Sequence, residues 1–165
     1  MKKRALLLCA ALALCLTACG QTSPAGSADR SDDGPVRMVN PIISYESLET
    51  AEEAIGYTVT VPEINGYPEH TVQIIGGNLL QLVMLAEDGS TIIIRKSIGD
   101  EDVSGDYNLY SQTAAVNCEG REATFRGDDD MVSTASWTAD GFSYAVLCEG
   151  PVTRDVMTSL VSQIS

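Results

Sequence analysis

The chain has 165 residues, 44% of them hydrophobic, which suits one domain with a buried core. Its formal charge of −13 argues against nucleic acid and anionic lipid headgroups as partners. No phosphate loop, dinucleotide fingerprint or Cys/His zinc spacing occurs, so those chemistries have no support in the sequence.

Met1-Lys2-Lys3-Arg4 is a basic start followed by an apolar run from Ala5 to Leu16. That run has the length of a signal-peptide core and falls short of the roughly 20 residues a spanning helix needs. Leu16-Thr17-Ala18-Cys19 closes it as a lipobox. Residues 1–18 are therefore expected to be removed as a lipoprotein signal peptide, leaving Cys19 as the lipidated N-terminus. An ordinary secretory signal is the competing reading. Cys9 and Cys15 would leave with the signal. Lipidation would place the chain at the cell membrane, on its extracytoplasmic side, with the membrane as partner through the lipid. It would also remove Lys2, Lys3 and Arg4, leaving seven basic against 23 acidic residues.

Gln21 to Arg37 is built from Ser, Gly, Pro, Asp and Ala with almost no large apolar side chain. Residues 19–37 thus read as the lipidated cysteine and a flexible tether. Residues 38–165 read as a single folded domain. Ser44 or Ser47 can cap a helix that carries Leu48, Ala51 and Ile55 on one face and stops at Gly56. The period then changes to two. Strands are expected at Tyr57–Val61, His70–Ile75, Leu79–Leu85 and Thr91–Lys96, with Asp88-Gly89 in a hairpin turn. An acidic loop spans Ile98 to Tyr110. Four more strands follow, at Thr113–Cys118, Glu122–Arg126, Met131–Thr138 and Phe142–Cys148. Pro151 opens a last helix, with Val152, Val156, Leu160 and Ile164 at every fourth position and Met157 and Val161 beside them.

The expected fold class is α+β: an antiparallel sheet of about eight short strands with an N-terminal and a C-terminal helix packed on it. Trp137 belongs to the core in this reading. A binding role would call for an apolar concave surface on the sheet face away from the helices.

Several motifs recur together: Asn40-Pro41, Tyr45 to Glu52 with Gly56, Val61-Pro62, Ile94-Arg95-Lys96, Asp102 to Tyr107, Ala135-Ser136-Trp137, Gly141 to Tyr144 and the final helix. In these the chain, over roughly residues 38–165, resembles extracytoplasmic domains of Firmicutes, and is similar to the family called domain of unknown function 4367. The resemblance implies a sensing or binding domain outside the cell with no established enzyme activity. It brings no catalytic residues.

The best local candidate for ligand chemistry is the loop with Asp100, Glu101, Asp102, Asp106 and Asn108 around Gly105. Calcium takes six to eight oxygens from such a loop, but the spacing is not that of an EF-hand. The competing reading is a solvated loop held by local side-chain-to-backbone bonds, with Arg95 or Lys96 pairing one carboxylate. Asp128-Asp129-Asp130 reads as a turn. Cys118 and Cys148 are a candidate disulfide or two buried thiols. A simple meander would hold their strand ends too far apart for a bridge.

No Gly-x-Ser-x-Gly elbow is present, His70 reads as a partly exposed strand residue, and nothing places Lys96 beside a serine. No cofactor is called for, Ca2+ being the sole candidate. The expectation is a non-enzymatic envelope domain that binds a protein or small ligand. The alternatives are a carboxylate-based envelope hydrolase and a structural accessory of a membrane complex.

Overall fold

The computed structural model describes residues 41–165, apart from the Glu69 side chain. Residues 1–40, with Cys9, Cys15, Cys19 and the expected signal peptide and tether, lie outside the described residues. Ten elements follow in order: β1 (Ile42–Tyr45), α1 (Leu48–Ile55), β2 (Glu69–Ile75), β3 (Leu79–Leu85), β4 (Thr91–Ile98), β5 (Gln112–Cys118), β6 (Arg121–Gly127), β7 (Met131–Ala139), β8 (Phe142–Thr153) and α2 (Arg154–Gln163). All eight strands join one antiparallel sheet in the order β1-β2-β3-β4-β8-β7-β6-β5. Two meanders, β1–β4 and β5–β8, thus meet at the central β4·β8 pair, where Ile94 lies opposite Val146. The described chain is mostly sheet, with two short helices.

Three elements depart from the pattern expected of the sequence. Tyr57–Val61 alternates like a strand but joins no sheet. Its alternation serves burial: Val59 is in the core, and Tyr57 and Val61 pack against it. Only Thr60 is bridged, exchanging backbone bonds with Ser165 (2.8 and 3.2 Å). The eighth strand is instead β1, four residues long, with Ile43 opposite Ile74. Finally, β8 runs past Cys148 to Thr153, opposite an irregularity in β7 between Val132 and Thr134. The last helix accordingly starts at Arg154, capped by the Thr153 hydroxyl accepting from the Val156 amide. Its buried face is Met157, Leu160 and Val161, while Val156 is 47% exposed. The remaining strands lie within two residues of their expected ends.

Helix α1 begins in a reciprocal capping box between Ser47 and Thr50 and ends at Gly56, whose φ of 86° is the left-handed value that favours glycine. The Asp88-Gly89 turn closes β3 onto β4, with Gly89 at φ 87°.

Strand alternation sorts the side chains onto two unlike faces. One face carries Leu80, Leu82, Ile92, Ile94, Val146 and Trp137, and it shares one core cluster with Ala51 of α1 and Met157, Leu160 and Val161 of α2. Trp137 stacks flat on Tyr144, ring centroids 5.1 Å apart. The other face carries Gln73, Gln81, Arg95, Arg126 and Thr134. Among the described residues no helix is long and apolar enough to cross a membrane.

Candidate functional site

The acidic loop 99–110 is a strap across the polar face. Arg95 projects from β4 and donates through Nε to Gln81 Oε1 (2.7 Å) and through Nη1 to the carbonyls of Val103 and Ser104. Gln81 passes the chain of bonds on to Gln73 (2.8 Å). From β6, Arg126 donates to Asp102 (2.9 Å) and to the Ser104 hydroxyl (3.0 Å). From β7, Thr134 donates to Asp106, which also accepts from the Tyr110 hydroxyl (2.7 Å) and from both Asn108 nitrogens (3.0 and 2.8 Å).

Two of the candidate cation ligands are therefore already engaged in holding the strap. Burial alone would raise the Asp102 carboxyl, but the Ser104 amide and hydroxyl and the Arg126 guanidinium outweigh it and hold it below the ordinary carboxylate range. Asp106 shows the same balance. Burial raises it, and the hydroxyls of Thr134 and Tyr110 with the Asn108 donors bring it below the usual value. Asp100 and Glu101 are exposed. Among the described residues no group of three or more His, Cys, Asp or Glu side chains is placed to hold a metal ion. Asp128 caps the strap's far end, accepting from the Ser111 amide (2.7 Å), and Asp129 and Asp130 form a left-handed turn.

Cys118 and Cys148 are free, buried thiols. They stand on strands three places apart in the sheet, roughly 14 Å at the usual strand spacing, well beyond disulfide reach. Burial pushes the Cys148 thiol up to about 11 and raises Cys118 as well, so neither is a ready nucleophile near neutral pH. Lys96 is buried on the core face. Its ammonium donates to the Thr58 carbonyl (2.7 Å) and lies 4.5 Å from the Phe142 ring centroid and 5.0 Å from that of Tyr144. That cation locks the 57–61 segment onto the sheet.

The sheet face away from the helices is polar, so the apolar concave surface that a binding role called for is not found there, which counts against that form of the reading. An apolar concavity lies on the helix-bearing face instead. Helix α2 packs over β5, β7 and β8, and α1 over β1 and β2. Between them the loop 61–68 crosses toward the β3–β4 turn. Here an open cleft of about 980 Å³ remains. Buried Leu82 and Met84 form its floor, and Leu48, Val61, Ile64 and Tyr67 its walls. A turn from the Tyr67 amide to the Ile64 carbonyl (3.1 Å), with Gly66 at φ 90°, holds the loop's shape. Tyr67 Oη sits 3.3 Å from Ser90 Oγ, joining loop to hairpin. Ser90 in turn gives both its amide and its hydroxyl to Asp88 (2.9 and 2.7 Å), and these bonds lower the Asp88 carboxyl.

The rim is acidic: Glu63, Glu87 and Asp88 line it, together with exposed His70. No hydrogen bond joins His70 to Ser90 among the described residues. Sequence reasoning missed Glu63, Tyr67, Glu87, Asp88 and Ser90 as one site. The available signal was a loop holding Ile64 and Tyr67 between Pro62 and Pro68, apolar side chains that a solvated connection does not need. No family model, curated protein or solved structure matches this chain.

Proposed function

We propose that the chain is a membrane-anchored extracytoplasmic binding or sensing domain of α+β class, tethered through lipidated Cys19, with its ligand seated in the cleft of Leu82, Met84 and Tyr67. One observation carries this reading. A concavity of about 980 Å³ keeps half-buried apolar walls, Leu48, Val61, Ile64 and Tyr67, over a floor of buried Leu82 and Met84, the size and lining of a ligand pocket. The lipobox and the polar tether support the address, and the resemblance to Firmicutes envelope domains supports a role without chemistry of its own.

The test is crosslinking on intact cells, followed by purification of the tagged protein and mass spectrometry, with Cys19→Ala as the unanchored control. The expected result is a membrane-fraction protein that captures a defined partner and loses both membrane association and capture in the control. An unchanged distribution of the Cys19→Ala protein would overturn the anchored reading. No capture, together with no small molecule retained on native purification, would overturn the binding reading.

A further inference from the structure

The charge economy of the fold points to the chemistry of the ligand. Residues 41–165 contain five basic side chains against twenty acidic ones. Four of the five are turned inward. Arg95 and Arg121 donate to backbone carbonyls, Arg121 to those of Val161 and Ile164 at the end of α2. Lys96 is buried against the Thr58 carbonyl and aromatic rings. Arg126 makes the one ion pair among the described residues, with Asp102. The exterior acids therefore have almost no internal counter-charge. Around the cleft this is complete: no Lys or Arg lines it, and Glu63 and Glu87 have no partner among the described residues.

Building on the binding reading above, we propose that the cleft takes a cationic amphipathic peptide segment, one that sets an apolar side chain beside Lys or Arg. The apolar side chain would pack between the half-buried walls Leu48, Val61, Ile64 and Tyr67, above Met84, and the flanking cations would reach Glu63 and Glu87. An anionic ligand would meet carboxylates at the rim. A wholly polar cation would leave the half-buried apolar walls wet. Only a ligand carrying both characters matches both parts.

The experiment uses the full lipidated chain in phosphatidylcholine nanodiscs, with empty discs as control. The probes are labelled peptides of sequence Lys-Leu-Lys-Leu-Lys, Lys-Gly-Lys-Gly-Lys and Glu-Leu-Glu-Leu-Glu. Binding is followed by anisotropy and by the 13C-methyl signal of Met84, with buried Met157 as an internal reference. The expected result is binding of the Lys-Leu peptide, with a shift of Met84 and none of Met157. The double reversal Glu63→Lys/Glu87→Lys should weaken it about tenfold or more. The double reversal Glu119→Lys/Glu122→Lys changes net charge equally at a distant turn, and should alter affinity less than about twofold. Equal loss in both doubles would overturn the proposal, because it would show diffuse attraction to an acidic surface. So would equal binding of the Lys-Gly peptide. A Met84 shift with the Glu-Leu peptide would overturn the ligand class and leave the cleft as a binding site. No Met84 shift with any probe would overturn the peptide proposal, while capture of a partner on cells would leave the binding domain standing.

Discussion

The two faces of this sheet are covered in different ways. The apolar face is covered by packing, from α1, α2 and the segment 57–68, and beside the buried β3 side chains a cleft with half-buried apolar walls stays open. The polar face is covered by directed bonds: Arg95, Arg126 and Thr134 fasten the strap 99–110 through named carbonyls and carboxylates. Packing is non-directional, so an apolar cover can leave a gap without breaking any directed bond; the unpartnered polar atom on this face is the buried Trp137 Nε1. Directed bonds are less tolerant, because a half-fastened strap would strand buried acceptors, although even here the buried Arg126 Nε has no hydrogen-bond partner.

That contrast predicts unequal costs. Arg95→Met should have the largest effect. It removes the donors to Gln81, Val103 and Ser104 at once, and each buried group left unsatisfied costs about 1–3 kcal/mol. With partial rehydration of a loosened strap we expect a net loss of about 3 kcal/mol in urea unfolding, with amide exchange rising across 99–110. By comparison Leu48→Ala, at the wall of an already open cleft, should fall at or below the low end of core truncations, about 2 kcal/mol. A larger loss for Leu48→Ala than for Arg95→Met would reverse the comparison.

Gly105→Ala comes next. Gly105 has φ 59°, and an added Cβ would sit 2.5 Å from Arg95 Nη1. The left-handed backbone costs a β-carbon about 1–2 kcal/mol, and the guanidinium must move to make room. The expected loss is about 2 kcal/mol, confined in exchange measurements to the strap. Gly77, also at positive φ but with open space around it, isolates the backbone part: Gly77→Ala should cost about 1 kcal/mol.

These two glycines also show how far the sequence could be read. Gly105 was legible as the positive-φ pivot of an acidic loop, and Asp102 and Ser104 as its local side-chain-to-backbone bonds, whereas Asp106 read only as a candidate cation ligand. The sequence pointed to Arg95 or Lys96 as the cation. Arg95 does meet the strap, at its carbonyls, while Lys96 points to the opposite face, since neighbours on a strand project oppositely. The pairing of Arg126 with Asp102 crosses 24 positions and needs the sheet order to bring β6 under the strap. Strand periodicity located seven of the eight strands because each has a buried face that fixes its phase. It failed at Tyr57–Val61, where the same alternation is satisfied by burial without a neighbour. It also missed β1, whose four residues are too few to show a period. The cleft was illegible because its parts, Leu48, Tyr67, Met84 and Ser90, belong to four separate segments.

Acid should act chiefly on the strapped face, since on the cleft side the lowered carboxyl, Asp88, is fully exposed and bonds only Ser90 of its own turn. Asp102 and Asp106 are held below the ordinary carboxylate range in the folded chain. A depressed carboxyl contributes stability that is fully present above its unfolded pKa, near 3.9, and is lost as the pH falls through its folded value. Strap protection in amide exchange should therefore be constant above about pH 5 and decline below about pH 4, earlier than protection in β3 and β4. Asp106→Asn should flatten much of that response. Loss of β3 protection in step with the strap would mean that the two faces unfold as one unit.

The smallest expected effect belongs to the cleft rim, and its sign is the informative part. Glu63 and Glu87 are exposed, make no ion pair among the described residues and stand on a chain with a large acidic excess. Structural carboxylates would lose bonds on neutralisation. Carboxylates kept for a partner lose only repulsion from their neighbours. Glu63→Gln/Glu87→Gln should therefore leave stability unchanged within about 0.5 kcal/mol, or raise it slightly at low ionic strength, with any gain fading as salt screens the rim. Urea unfolding at two salt concentrations reads this directly. A destabilisation above about 1 kcal/mol would assign these acids to the fold, and the rim would then be a cover like the strap. A neutral or stabilising result sets the two faces apart: on one the charges fasten the chain to itself, and on the other they are left for something else.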